Sequence, residues 1–281
     1  MKLRIIGPVL AFAALLVALP LLLSTGDRSA TSLAAAPVAC EDQARLDLRE
    51  VPGRLSAIKD QGDDCNSCWA FATLASYEDN YFKRYGQSVD LSEQQLVDCA
   101  GVAQSCGGGA WPFAYMPANG LARESDYGYV QNSSVPGACA VQGKPAPFRT
   151  VALHAVGANT ATPTRAEIKR ALCARGAVAS QMNATPEFDA FHGTATADVF
   201  DQPAAAATTN HAVAIVGWDD ARQAWLVRSS RGMSWGTFGY MWVRYTTNGI
   251  GGYARSVEVG PQVTDPAVPK VPNAPTGVQV Q

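Results

Sequence analysis

The chain of 281 residues carries a formal net charge of −2, and 47% of its residues are hydrophobic and 9% aromatic. This content is enough for a sizeable core in one large or two modest domains, and it excludes disorder as the default state. The near-neutral charge, without any run of Lys or Arg, lacks the basic face that binding to nucleic acid or to an anionic membrane needs. We expect neither partner.

Residues 1–40 are typical of a targeting segment followed by a short linker. Lys2 and Arg4 precede a long apolar run, residues 5–23, and small residues follow it. An Ala-x-Ala site predicts cleavage after Ala36. Because a bilayer-spanning helix needs about 20 apolar residues, a retained membrane anchor is the alternative. We expect an exported protein that is secreted, periplasmic or anchored in a membrane.

Residues 41–260 are predicted to form one domain whose first half is mainly helical. Few helix-breaking residues occur between Cys68 and Tyr85, apolar side chains recur there, and Gly86 is a stop signal. Two further helix starts are indicated by capping-box pairs, Ser92 with Gln95 and Thr164 with Glu167, the second helix ending at Gly176.

The second half of this domain changes to short segments of β type. They are residues 177–182, 211–218, 224–228 and 239–245, separated by Gly, Asp and Ser turns. A helical lobe followed by an antiparallel β lobe predicts an α+β fold with a ligand site in the groove between the lobes. Residues 261–281 are rich in proline and are expected to form a flexible tail.

One cysteine and one histidine are the candidates for nucleophilic chemistry. A cysteine at the first turn of a helix is stabilised as the thiolate by the helix dipole, and Cys68 holds that position. A nucleophile also needs a base. Of the three histidines, His154 lies in a plain apolar stretch and His192 in a predicted loop, whereas His211 opens a strand that faces the groove.

The residues around Cys68 resemble those of the papain-like cysteine peptidases. Cys65-Asn66-Ser67-Cys68-Trp69 matches the pattern C-G-[SA]-C-[WY] except at Asn66, and His211 follows within the family's spacing of about 130 to 150 residues. Three further segments match in the family's order: Leu91–Cys99, Cys106–Gly109 and Trp235–Tyr240.

The resemblance implies a papain-like two-lobe fold, with an N-terminal helical lobe, a C-terminal antiparallel β-barrel-like lobe and the active site in the cleft between them. Cys68 would be the nucleophile and His211 its general base. Gln61 would hold the oxyanion with the Cys68 backbone N–H. The residues implied to bind substrate are Gly108, Gly109, Trp111, Ala212 and Trp235, with Gln181 and Met182 as further pocket candidates.

Seven cysteines in an exported chain favour disulfides with at least one thiol left over. The resemblance implies the pairs Cys65–Cys106 and Cys99–Cys139. Cys173 is interpreted as a buried thiol on the apolar side of a helix, with a bridge to Cys40 as the alternative.

Apart from Asn66, the sequence departs from the family at Ser229 and Arg231, at the Asp63-Asp64 pair and in the region before Cys68. Ser229 replaces the asparagine that orients the histidine, and Arg231 replaces a shielding tryptophan; a serine hydroxyl still accepts a hydrogen bond but holds the ring less firmly. The pair Asp63-Asp64 contains an inserted residue that would displace Gln61. Because Cys40 lies so close to Cys68 in sequence, we expect no inhibitory prosegment and any restraint to come from a separate protein inhibitor.

These features predict a cysteine endopeptidase, a monomer that acts on peptides or proteins. The alternatives are a catalytically weak or inactive peptide-binding protein, suggested by Ser229 and Arg231, and a transpeptidase or exopeptidase that uses the same acyl-enzyme. The sequence shows no metal-binding cluster and no cofactor fingerprint. We therefore expect neither metal nor cofactor.

Overall fold

The computed structural model describes residues 38–101, 105–109, 111–131, 137–141, 145–158, 161, 163–192, 198–202 and 208–263. Nearly all of the predicted targeting segment 1–40 and of the tail 261–281 lies outside these residues. No helix in the described part of the chain is long and apolar enough to cross a bilayer.

Five α-helices occur in the described residues. They are α1 (Cys68–Tyr85), α2 (Glu93–Cys99), α3 (Tyr115–Ala118), α4 (Arg165–Arg175) and α5 (Pro186–Asp189). The bounds of α1 confirm the prediction. Gly86 ends the helix with φ = 68°, a left-handed conformation that glycine adopts without strain, and its N–H donates to the carbonyl of Phe82.

The two predicted capping boxes have different outcomes. At α4 the box is complete, because Thr164 and Glu167 satisfy each other's backbone N–H groups. At α2 the Ser92 hydroxyl accepts from the Gln95 N–H, but the Gln95 amide donates to the carbonyl of Gly120 and accepts from the N–H of Ala122. Gln95 thus anchors a neighbouring loop instead of closing the box.

Eight strands of the described residues form one sheet. They are β1 (Arg45–Asp47), β2 (Thr150–Ala155), β3 (Val178–Met182), β4 (Val199–Phe200), β5 (His211–Asp219), β6 (Ala224–Arg228), β7 (Tyr240–Arg244) and β8 (Gly252–Val259). The order across the sheet is β2-β8-β3-β5-β6-β7-β4, and β1 also pairs with β5. Every pairing is antiparallel except that of β4 with β7.

Strand β5 is central to this sheet and carries the candidate base at its first residue. On one side it pairs with β3, from Met182 opposite His211 to Val178 opposite Ile215, and then with β1. On its other side it pairs with β6. All nine residues of β5 are buried, which explains why its sequence is an apolar run without polar alternation. At its first residue, His211, the strand pairs with Met182 of β3, and β6 joins it from Ala214 onward.

Helix α1 lies against the sheet along most of its length. Its residues from Cys68 to Tyr81 are all buried, and it packs on β3, β5 and β8. Polar side chains on the helix bond to sheet-side carbonyls: Ser76 donates to Ala177 at 2.6 Å, Tyr77 to Arg149 at 2.8 Å, and Asn80 to Val257. These bonds fix the position of the helix N-terminus, and hence of Cys68, relative to β5.

The predicted α+β class is confirmed, with helices α1–α3 preceding most of the sheet. The barrel-like description of the second lobe needs correction. In the described part of the chain the strands form an open path from β2 to β4 and do not close, and β4 joins β7 in parallel.

Candidate active site

Cys68 is the first residue of α1 and, among the seven cysteines, the one that forms no disulfide. Its sulfur is buried, and burial raises the pKa of the thiol. Hydrogen bonding from the backbone N–H groups of Ala212 and Trp69 and the positive charge of Arg231 oppose this rise. The contact with Ala212 shows that the sulfur lies at the start of β5, beside His211.

His211 is buried, and its ring nitrogen Nε2 lies 3.2 Å from the hydroxyl oxygen of Ser229. Burial, with a smaller contribution from the charge of Arg231, lowers the pKa of the imidazole to about 3. The ring centre of Phe188 lies 6.0 Å from that of His211. In this structure the ring is therefore neutral at physiological pH, and it is held by one serine and an apolar neighbour.

Cys68 and His211 border the same cleft, which has a volume of about 600 Å³. The other lining residues are Asn66, Trp69, Gly107, Gly108, Gly109, Gln181, Ala184, Asp189, Thr209, Asn210, Ala212 and Arg231. One wall comes from the helical part of the chain and the other from β3, β5 and the loops beside them. The size is adequate for several residues of an extended peptide.

Gln61 lies beside the loop that leads to Cys68. Its amide nitrogen donates to the carbonyl of Cys65 at 3.1 Å, and its amide oxygen accepts from the hydroxyl of Ser230 at 2.6 Å. The backbone N–H of Gln61 also donates to the carbonyl of Ser230. Gln61 is not among the residues that line the cleft of Cys68 and His211, although its neighbours Asp60 and Gly62 line a second cleft, and one N–H of its amide is already in use. The role of Ser230 in holding Gln61 has no local sequence signal.

Gly108, Gly109, Ala212 and Gln181 line the cleft, as the resemblance implies for substrate-binding residues. Gly108 has φ = 90°, and the backbone N–H of Asn66 donates to the carbonyl of Cys106 nearby. Because glycine has no side chain, this wall leaves room for a substrate backbone.

Three other predicted pocket residues are placed differently. Trp111 is buried and donates to the carbonyl of Tyr253 at 2.9 Å, and Met182 is fully buried; neither is among the residues that line the cleft. Trp235 is also buried; it donates to the carbonyl of Phe188 and borders a second cleft of about 320 Å³. Its ring packs on Phe188, which in turn packs on His211.

An ion pair that the sequence does not predict stands at the junction of the two clefts. Nη2 of Arg231 lies 2.7 Å from Oδ1 of Asp189, and both residues line both clefts. The sequence identifies Arg231 as a departure from the family, but no pattern connects it with Asp189, which ends the short helix α5. His192, beside this second cleft, contacts the carbonyl of Ser234. His154 lies on β2, where it pairs with Glu258.

Three disulfides join six of the seven cysteines. Cys65 is bonded to Cys106 and Cys99 to Cys139, the two pairs that the resemblance implies. Cys40 is bonded to Cys173, so the interpretation of Cys173 as a buried thiol is wrong. Helix α4 brings Cys173 against the short 3₁₀ helix Cys40–Asp42, a contact that sequence periodicity does not reveal. The disulfides indicate that the chain folds in an oxidising compartment outside the cytosol.

No group of three His, Cys, Asp or Glu side chains arranged as metal ligands occurs in the part of the chain that the structure describes.

Comparison with known proteins gives relatives that are cathepsins. The chain is 33% identical over 199 residues to a pro-cathepsin H of Medicago truncatula, covering 67% of this chain and 53% of that protein. It is 31% identical over 204 residues to a cathepsin L-like proteinase of Fasciola hepatica, covering 70% and 59%. The chain thus spans between half and two thirds of the length of these curated relatives.

A solved structure agrees with the sequence matches. Digestive procathepsin L 3 from the larval midgut of Tenebrio molitor superposes with a TM-score of 0.66 at 28% identity, covering 76% of this chain and 69% of that one. The family model of the papain family cysteine proteases matches residues 43–260, which include Cys68, His211 and both walls of the cleft. The chain belongs to the papain family of cysteine proteases.

Proposed function

We propose that this protein is a cysteine endopeptidase that cleaves peptide bonds through a covalent acyl-enzyme on Cys68. The observation that carries the proposal is that the one cysteine outside a disulfide shares a cleft with His211, at the N-terminus of a helix. Residues 41–260 would form the peptidase domain, and the substrate would be a peptide or protein.

Burial raises the pKa of the Cys68 thiol and lowers the pKa of the His211 imidazole. Both groups are therefore expected to be neutral before substrate binds. With Nε2 of His211 directed at Ser229, the other ring nitrogen is the one available to Cys68. As Cys68 Sγ bonds to the substrate carbonyl carbon, His211 accepts the thiol proton, and it then returns that proton to the leaving amine as the C–N bond breaks. Water, activated by His211, would hydrolyse the thioester.

The negative charge on the carbonyl oxygen needs hydrogen-bond donors during both steps. The backbone N–H of Cys68 at the start of α1 is one donor, and the remaining amide N–H of Gln61 is the other. Ser230 would support this role, because it occupies the amide oxygen of Gln61 and so sets which end of the amide faces the cleft.

The first experiment combines labelling and hydrolysis on the full chain. We expect an epoxide inhibitor of papain-like enzymes to label Cys68, and the protein to hydrolyse fluorogenic peptides internally. Cys68→Ala should lose both properties, and His211→Ala should lose hydrolysis. His154→Ala is the matched control, because it removes a histidine on β2, three strands away from β5 in the sheet. This variant should keep both properties.

Two outcomes would contradict the proposal. A folded protein that takes up no label and cleaves no peptide would be a peptide-binding relative without activity. Release of terminal residues only, or transfer of the acyl group to an added amine in preference to water, would indicate an exopeptidase or a transpeptidase.

We further propose that the protein is secreted, periplasmic or held at a membrane by its N-terminal apolar segment, that it acts as a monomer, and that a separate protein inhibitor restrains it. Disulfide bonding supports the exported location. Fractionation of the producing cells tests the location and light scattering of the purified protein tests the monomer. Loss of peptide hydrolysis by the purified protein when an extract of the producing cells is added back tests the inhibitor.

A further inference from the structure

The ion pair between Arg231 and Asp189 lies where the two clefts meet, within the electrostatic reach of Cys68 and His211. A charged pair at this place must contact whatever part of the substrate passes between the clefts. Its position relative to the scissile bond follows from the chemistry of the base.

His211 has to protonate the leaving amine, so the part of the substrate that follows the scissile bond lies on the His211 side of Cys68. This step rests on the proposed function. Asp189 is on that side, because it follows Phe188, whose ring packs on His211. The glycine wall with Gly108 stands by Asn66, on the helical side of the cleft. Arg231 therefore faces the leaving group.

The guanidinium of Arg231 retains donors for a ligand. Nη2 lies 2.7 Å from Oδ1 of Asp189 in the ion pair, and the side chain is 29% exposed. Nε is buried and has no hydrogen-bond partner among the described residues. An arginine offers five N–H donors in a planar fork that matches a carboxylate. A carboxylate of the substrate could bind the edge of the guanidinium that Asp189 leaves unoccupied, while Asp189 keeps the guanidinium oriented.

We infer that Arg231 selects substrates with a carboxylate on the residue directly after the scissile bond. The carboxylate would belong either to an acidic side chain or to the end of the substrate chain. Both present the same planar anion to the guanidinium, and peptides with blocked ends distinguish them.

The second cleft limits the preference to one carboxylate. Asp60 and Asp63 line it as well, and neither forms an ion pair among the residues that the structure describes. Their negative charges would repel further acidic residues of the substrate. We therefore expect an acidic residue to be favoured at the first position after the scissile bond and not at positions beyond it.

The test uses matched peptides that differ only at this position. With blocked ends, a peptide with Glu there should be cleaved with a kcat/KM about tenfold higher than its Gln counterpart, the size expected for one charge-assisted hydrogen bond. If the chain end is what Arg231 recognises, the preference appears instead between a peptide that ends at this residue with a free carboxylate and its amide. Either preference supports the inference.

Three variants connect the preference to Arg231. Arg231→Gln should bring the ratio of kcat/KM for the Glu peptide to kcat/KM for the Gln peptide close to one. Asp189→Asn should increase it, because the guanidinium then lacks its internal carboxylate. Arg244 is the last residue of β7, pairs with Asp201 and lies outside both clefts. Arg244→Gln should therefore leave the ratio and the rate unchanged.

A binding measurement keeps this test separate from that of the proposed function. Fluorescence anisotropy with the Cys68→Ala variant and the same peptides should show the carboxylate preference even if no peptide is cleaved, and the double variant with Arg231→Gln should lose it. Equal binding and cleavage of carboxylate and amide peptides would overturn the inference, as would a preference for Lys.

Discussion

The hydroxyl of Ser229, which the sequence resemblance aligns with an asparagine amide of the papain family, contacts Nε2 of His211 at 3.2 Å. Ser229 is buried, so no bulk water replaces it as a partner for the ring. Orientation of the base therefore depends on one short side chain, supported from the other side by Phe188.

We predict that Ser229→Ala lowers kcat by about tenfold with little change in KM. Leaving a buried donor unpaired costs about 1–3 kcal/mol, and about 1.4 kcal/mol corresponds to a factor of ten in rate. Steady-state kinetics and thermal unfolding check this. Ser92→Ala, which removes the buried serine hydroxyl that caps α2 away from the cleft, should lower stability and leave kcat unchanged. Equal kcat in wild type and Ser229→Ala would show that Ser229 does not orient the base.

At the scale of secondary-structure elements, the site depends on how α1 and β5 are held. Strand β5 is fixed by pairing on both sides, and α1 by its hydrogen bonds to the sheet. The disulfide between Cys40 and Cys173 acts elsewhere: it ties the segment before β1 to α4. It contributes to stability without touching the cleft.

We predict that the double variant Cys40→Ser/Cys173→Ser loses about 2–4 kcal/mol of unfolding free energy, because a cross-link across a long loop restricts the unfolded chain. Denaturant unfolding measures the loss. Labelling of Cys68 should proceed at the wild-type rate under conditions where the variant is folded. A slower rate would mean that this disulfide also positions the active site.

At the scale of the whole molecule, a buried charge cluster joins the segment before α1 to the helical core. Nζ of Lys59 lies 3.3 Å from Glu78 and 2.8 Å from Glu93, both almost fully buried. Burial raises the pKa of Glu93 above its ordinary range, Lys59 opposes this rise, and Glu78 adds to it. The backbone beyond Lys59 then pairs with residues 230–232, so the cluster supports the wall that holds Gln61.

We predict that Lys59→Met destabilises the protein by about 3–5 kcal/mol, the cost of leaving buried carboxylates without their cation. A carboxyl whose folded pKa is raised stabilises the fold below its unfolded pKa, about 4.3, and this contribution is lost as the pH rises through the folded value. Removing Lys59 raises the pKa of Glu93 further, so the deficit should be larger at pH 8 than at pH 5.

Denaturant unfolding of wild type and Lys59→Met at both pH values measures this difference. Lys169→Met, which removes a lysine that pairs with Asp220 outside the cluster, is the control and should show a small loss without this pH dependence. The same deficit at pH 5 and pH 8 would mean that Glu93 does not titrate as proposed.

The sequence by itself determined the parts of this protein that depend on local signals. Helix α1 with its glycine stop, the strands β3, β5, β6 and β7, and the motif around Cys68 were predictable, because periodicity, capping residues and motif spacing act over a few neighbouring residues; β8 was not predicted. The α+β class and the pairing of a thiol with His211 followed from them.

Only the tertiary structure decided the contacts between residues far apart in the chain. The ion pair of Asp189 with Arg231, the bond from Ser230 to Gln61, the disulfide of Cys40 with Cys173 and the burial of Trp111 leave no local pattern. The parallel pairing of β4 with β7 is another contact of this kind. Each depends on how helices and strands pack on one another, because packing brings together side chains whose separation along the chain carries no periodic signal.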